Sequence, residues 1–300
     1  MNEISDSAPA RRAAIVRAGG SKLKLSLNAY SFSGELNAHL QDAAKGMSLF
    51  DLLDFCAAHD FDALDPTGYF FPGYPKPPAD EYLNRFKRRA FELGLDISGS
   101  GVRNNFASPD SQRRAADVRH VQEWIECAAR MGAPLLRVFA GAQPEGFTWE
   151  QAAEWMASDL RQCVEYGKRY GVIVGLQNHG DMLRSADDVL KMIDLVDSEW
   201  FGAIVDTGFL LTADPYADIA RLAPYAVNWQ IKETLRGKDS GVRIDLLRAV
   251  RVIRQGGYRG YLPIETLAVA GETYDPRQKA AQLAHELRRA IRQTETENTR

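Results

Sequence analysis

From Leu23 onward, short β-rich runs alternate with longer stretches of helical period, and this alternation restricts the fold more than any other feature of the chain. The β-rich runs cover 23–30, 61–66, 95–101, 134–141, 172–177, 200–206, 226–232 and 260–265. Helical periodicity fills 48–59, 80–93, 110–131, 148–170, 185–197, 215–222, 244–255 and 276–293. In the first of these helices Leu49, Leu52, Leu53 and Cys56 share one face behind Ser48, an N-cap residue. Gly94 and Gly132 stand where helices commonly end. Eight such units with no break in composition predict a single (β/α)8 barrel over 22–300, because a doubly wound open sheet seldom needs eight. Residues 1–21 read as a flexible N-terminal extension.

Composition narrows the partners. Of the 300 residues, 45% are hydrophobic and 26% charged, which suits a folded chain with a large core and excludes a disordered or fibrous one. The net charge is -3 and Lys and Arg are dispersed, so no basic face for nucleic acid or anionic lipid is expected. No apolar run is long enough for a membrane span, and only "AAIV" follows Arg11 and Arg12, too short for a signal segment. A cytoplasmic location is therefore expected. Cys56, Cys127 and Cys163 are odd in number and sit among apolar helical neighbours, as reduced core residues do.

In a barrel the C-terminal end of every strand opens on one face, where catalytic residues gather. Those ends carry Asn28 and Tyr30, Asp65, Arg103 or Asn104, Arg137, Gln177 and His179, Asp206, Gln230 and Lys232, and Glu265. The last four strands thus bring Gln177, Asp206, Gln230 and Glu265 together: two carboxylates and two amide carbonyls, an oxygen set suited to a hard divalent cation such as Mg2+ or Mn2+. Hydrogen bonding of the same groups to loop backbone is the plainer alternative. The aromatic, proline-rich loop 65–80 follows the second strand and is expected to wall or cover the pocket.

The strand ends read "VGLQNHG", "IVDTGF", "NWQIKE" and "LPIE", and on these motifs the chain resembles the xylose isomerase-like sugar phosphate isomerase/epimerase family of TIM barrels, from Lys22 to about residue 292. The resemblance implies a metal site (Mn2+, Mg2+ or Co2+) at Gln177, Asp206, Gln230 and Glu265, and proton transfer beside a carbonyl. Two positions depart from the family pattern: Gln177 stands where a glutamate is usual, and Gln230 where many members have histidine. An amide takes no proton at neutral pH, so a two-glutamate mechanism does not run here unchanged.

Glu265, His179 and Lys232 are then the candidate catalytic groups: a base, an acid/base near neutral pH, and a cation for a developing enolate. Arg137, in an otherwise apolar strand, needs a carboxylate or a substrate oxygen; Asn28, Tyr69 and Trp229 are candidate substrate contacts. No glycine-rich phosphate loop follows strands 7 or 8, which favours an uncharged substrate. The expected activity is metal-dependent isomerisation or epimerisation of a sugar or keto sugar. Lyase or dehydratase chemistry on a keto sugar or 3-keto-glycoside, and a sugar-binding barrel without catalysis, are the alternatives. Homo-oligomerisation is left open.

Overall fold

The helices begin on side chains that bond their own first turn. Ser48 and Asp51 form a reciprocal capping box ahead of the helix Leu49–Ala58, as do Thr148 with Gln151 ahead of Trp149–Tyr170 and Ser185 with Asp188 ahead of Ala186–Val196. Asp110, Asp214 and Asp245 alone cap the helices Ser111–Met131, Pro215–Leu222 and Leu246–Gln255. Gly132 and Gly171 close Ser111–Met131 and Trp149–Tyr170 at φ 84° and 69°, a conformation that costs glycine nothing.

In the computed structural model, which describes residues 12–180, 182–237, 240–269, 271 and 273–297, the order is β1 (Leu23–Asn28), α1 (Ser33–Gln41), α2 (Leu49–Ala58), β2 (Ala63–Asp65), α3 (Asp80–Glu92), β3 (Asp96–Ile97), β4 (Ser100–Gly101), α4 (Ser111–Met131) and β5 (Leu135–Phe139). Then follow α5 (Trp149–Tyr170), β6 (Ile173–Gln177), α6 (Ala186–Val196), β7 (Phe201–Asp206), α7 (Pro215–Leu222), β8 (Ala226–Gln230), α8 (Leu246–Gln255), β9 (Gly260–Ile264) and α9 (Pro276–Glu297). All strand pairings are parallel, in two arcs ordered β3-β2-β1-β9 and β4-β5-β6-β7-β8. Single bridges, Thr67 with Gly101 and Ile231 with Ile264, join the arcs into a ring. The helices bury one face against its outside, so the fold is the expected α/β barrel.

The third stave, expected unbroken over 95–101, is two short strands. Gly99 separates them where Leu135 leaves no room, since a Cβ there would meet Leu135 Cδ1 at 2.8 Å. The Ser98 hydroxyl bonds Ser26 at 2.7 Å, and Ser100 donates to the Pro66 carbonyl at 2.6 Å. The first stave ends at Asn28, not Tyr30, because the Asn28 side chain accepts from Tyr30 N at 2.8 Å and starts a 3-10 turn. Helix α1 was not anticipated: Leu36 is its sole buried residue, too little periodicity to read.

The extension expected over 1–21 is not loose in its described part. Arg12 donates to the Phe201 carbonyl at 2.6 Å, Ile15 N to the Pro224 carbonyl at 3.0 Å, and Arg17 to the Ala226 carbonyl, so residues 12–21 lie across the N-terminal ends of β7 and β8. Its remainder, 1–11, lies outside the described residues. The three cysteines are free and buried, as expected, and burial pushes the Cys127 thiol up to about 12. Among the described residues no helix is long and apolar enough to cross a membrane.

Candidate active site

Strand alternation puts Asn228, Gln230 and Lys232 on one side of the chain and Trp229 and Ile231 on the other. Trp229 accordingly faces away from the mouth. It is fully buried with its ring 5.6 Å from that of Tyr258, which corrects its expected role as a substrate contact. The Asn28 side-chain carbonyl is committed to the fold, accepting from Tyr30 N at 2.8 Å and from the Thr67 hydroxyl at 3.2 Å, rather than facing a substrate as expected.

The groups at the ends of β6, β7, β8 and β9 do meet. Gln177 Nε2 donates to Asp206 Oδ2 at 2.7 Å, Lys232 Nζ lies 3.4 Å from the same oxygen, and Gly208 N donates to Asp206 Oδ1 at 2.9 Å. Lys232 also donates to Glu265 Oε1. Asn178 turns away, as alternation predicts, and exchanges two bonds with the Asp206 backbone at 2.8 and 2.9 Å. Asp206 has no exposed surface, and burial pushes its carboxyl up to about 6 despite Lys232. Burial works against the Lys232 charge as well, but Asp206 and Glu265 hold its pKa above the ordinary lysine value.

A second charged group stands across the mouth. Arg137 is buried, donates to Tyr69 Oη at 3.1 Å, and stacks 4.5 Å over Phe139. Burial pushes Asp65 up to about 6, with Arg137 opposing and Glu265 adding to the rise. Gly101 lies flat against the guanidinium, where any Cβ would stand 2.5 Å from Nη2. Loop 65–80 is a fixed wall: Phe70 and Phe71 are core, Trp124 Nε1 bonds the Pro75 carbonyl at 2.8 Å, and Tyr74 Oη accepts from Arg103 N at 3.0 Å.

Between these groups opens a cavity of about 430 Å³ whose walls include Tyr69, Arg103, Arg137, Gln177, His179 and Glu265. Asn105, a strand-end neighbour that sequence reading passed over, lines it too. A smaller cavity of about 160 Å³, with Lys232 and Phe209 on its wall, shares Glu265 with it. His179 sits between Phe139 and Phe209, with centroids 4.8 and 4.6 Å away. Burial, then the charge of Lys232, lowers its pKa to about 4; the exposed edge of the ring tempers this, and the imidazole is neutral at pH 7.

Of the four expected metal ligands, Gln177 bonds Asp206 and Lys232 links Asp206 to Glu265, while the Gln230 amide bonds none of them, and the set does not suit a divalent ion. The ammonium of Lys232 already lies between the two carboxylates, and Gln177 turns its NH2, not its carbonyl, toward Asp206. Gln177 Oε1 and Gln230 Oε1 are buried without partners, so beside the two carboxylates that Lys232 already engages the expected set offers only neutral oxygens. Among the described residues no group of three or more His, Cys, Asp or Glu is placed to hold a metal.

A family model described as "Xylose isomerase-like TIM barrel" matches residues 53–293. No curated protein sequence matches the chain. Among solved structures, protein SMc04130 from Sinorhizobium meliloti 1021 is 19% identical, with 89% of this chain and 98% of that one covered at a TM-score of 0.71. An E. coli 3-keto-D-glucoside 4-epimerase is 15% identical (89% and 99% covered, TM-score 0.70). A D-psicose 3-epimerase from Clostridium cellulolyticum H10, solved with D-tagatose, is also 15% identical (91% and 98% covered, TM-score 0.71). At these identities the likeness is one of fold.

Proposed function

Because the chain belongs to the xylose isomerase-like TIM barrel family, we propose that it is a sugar isomerase or epimerase that removes a proton next to the carbonyl of a sugar or keto sugar. One observation carries this reading. Among the described residues Glu265 is the one acid on the wall of the larger cavity, and Arg137 shares that wall with it. The names of two fold neighbours, a 3-keto-D-glucoside 4-epimerase and a D-psicose 3-epimerase, support it.

The chemistry then runs on these side chains. The substrate carbonyl oxygen faces Arg137, and Glu265 takes the proton from the adjacent carbon. The C–H electron pair becomes the enolate double bond, and the negative charge gathers on the oxygen beside the guanidinium. Return of the proton from Glu265 to the former carbonyl carbon, while the hydroxyl proton of the first carbon passes to the enolate oxygen, completes an isomerisation; an epimerisation takes its new proton from water on the face opposite Glu265, which keeps the one it removed. Neutral His179 and the walls of Tyr69 and Arg103 bind hydroxyls and hold the ring. In a metal-dependent form of this reading Gln177, Asp206, Gln230 and Glu265 would hold the ion, and no step is assigned to one because their bonds do not suit it.

The test is incubation with a panel of ketoses, aldoses and 3-keto-glycosides in D2O, with deuterium sought by NMR at the carbon beside the carbonyl. Exchange by the native protein and its loss in Glu265→Gln, with the circular dichroism spectrum kept, is the expected result. No exchange across the panel would favour a sugar-binding barrel without catalysis.

A further inference from the structure

Building on that reading, we infer that the Lys232 ammonium is the resident cation of this site, standing where the fold's relatives are expected to hold a divalent ion, and that Gln177 is its accessory donor. Lys232 is 3% exposed and its stem is channelled. Its backbone N bonds Thr207 Oγ1 at 2.9 Å, and its Cγ passes Gly208 where an added Cβ would come within 2.7 Å. Gly208 thus leaves the space through which the ammonium reaches Asp206 and Glu265.

The amide at 177 fits this arrangement as a glutamate would not. At 2.7 Å from Asp206 Oδ2 a carboxylate would repel, whereas an amide NH2 donates, so Asp206 is satisfied by Gln177, Lys232 and Gly208 N together. The charges agree. Two carboxylates and one ammonium leave a single net negative charge among Asp206, Lys232 and Glu265, and both amides are neutral. A dication would have to expel the ammonium from between its two carboxylates, and beside them it would find only the oxygens of two amides. Lys232 is in these terms a positioning residue: it orients Glu265, which faces the substrate cavity, and it fixes the charge that balances Glu265.

The native protein, dialysed against EDTA, is titrated with Mn2+ while thermal unfolding is followed, and D2O exchange is measured before and after dialysis. Expected are no rise in Tm at millimolar Mn2+ and no loss of exchange. The double variant Gln177→Glu with Lys232→Ala restores an anionic ligand and vacates the centre, so Mn2+ should raise its Tm by roughly 5 °C or more. A Mn2+-dependent rise in the native protein, or exchange abolished by EDTA and restored by Mn2+, overturns the inference. The Mn2+ titration needs no turnover. A native protein that ignores Mn2+ and exchanges no deuterium sinks the proposed function while upholding the resident ammonium.

Discussion

Replacing Lys232 by methionine keeps the volume of the stem and removes the charge. At 3.4 Å and the effective dielectric of about 20 that suits protein sites, the Lys232–Asp206 attraction is about 5 kcal/mol. Breaking a buried pair by deleting one partner costs roughly 3–5 kcal/mol, because the remaining charge is left buried and unpaired. Lys232→Met should lose that much in urea unfolding followed by tryptophan fluorescence at pH 8. The pH dependence has a definite sign. Burial already holds the Asp206 carboxyl near 6, above the ordinary 3.8 of an unfolded chain, so the folded state takes up a proton that the unfolded state does not. The stability associated with that proton is present in acid and is lost as the pH rises through the folded value. The deficit of Lys232→Met should therefore shrink between pH 8 and pH 5. A loss below about 1 kcal/mol at pH 8, or a deficit that grows in acid, would show that the ammonium does not neutralise Asp206.

Other substitutions probe separate parts of the site. Gly101→Ala sets a methyl 2.5 Å from Arg137 Nη2 on a backbone that tolerates alanine, so the guanidinium must move into the cavity. KM should rise about tenfold, equivalent to 1.4 kcal/mol, with a smaller change in kcat; unchanged steady-state kinetics would remove Arg137 from the substrate contacts. The His179 imidazole, titrated by NMR, should stay neutral well below pH 6.5, and an ordinary midpoint would deny that its aromatic neighbours desolvate it. Its depressed pKa supplies stability above pH 6.5 that is lost as the pH falls toward 4, and His179→Gln should remove that part of the acid dependence.

The ring of staves was legible because a strand buried on both faces and a helix buried on one leave different periods in the chain. The third stave was legible only as one run, since its division depends on how closely Leu135 approaches Gly99 from the next strand. Parity along β8 was sufficient to turn Trp229 outward once Gln230 faced in, and the lure of an aromatic near a sugar site concealed it. That Gln177, Asp206 and Glu265 gather at one end of the barrel followed from the strand ends. The placement of Lys232 did not, because a lysine reaches through four flexible carbons and its end point is fixed by Gly208 and Thr207 on another strand. Which way Gln177 turns its amide is likewise decided by Asp206, not by any local pattern.

The two arcs of the barrel are joined by one bridge at each seam. Glu265 follows the stave on one side of the first seam and Lys232 follows the stave on the other, and the Lys232 ammonium bonds Glu265 across it. The Lys232–Glu265 pair thus ties the two half-rings together at that seam, so the base of the proposed reaction is also one of the contacts that hold the barrel closed.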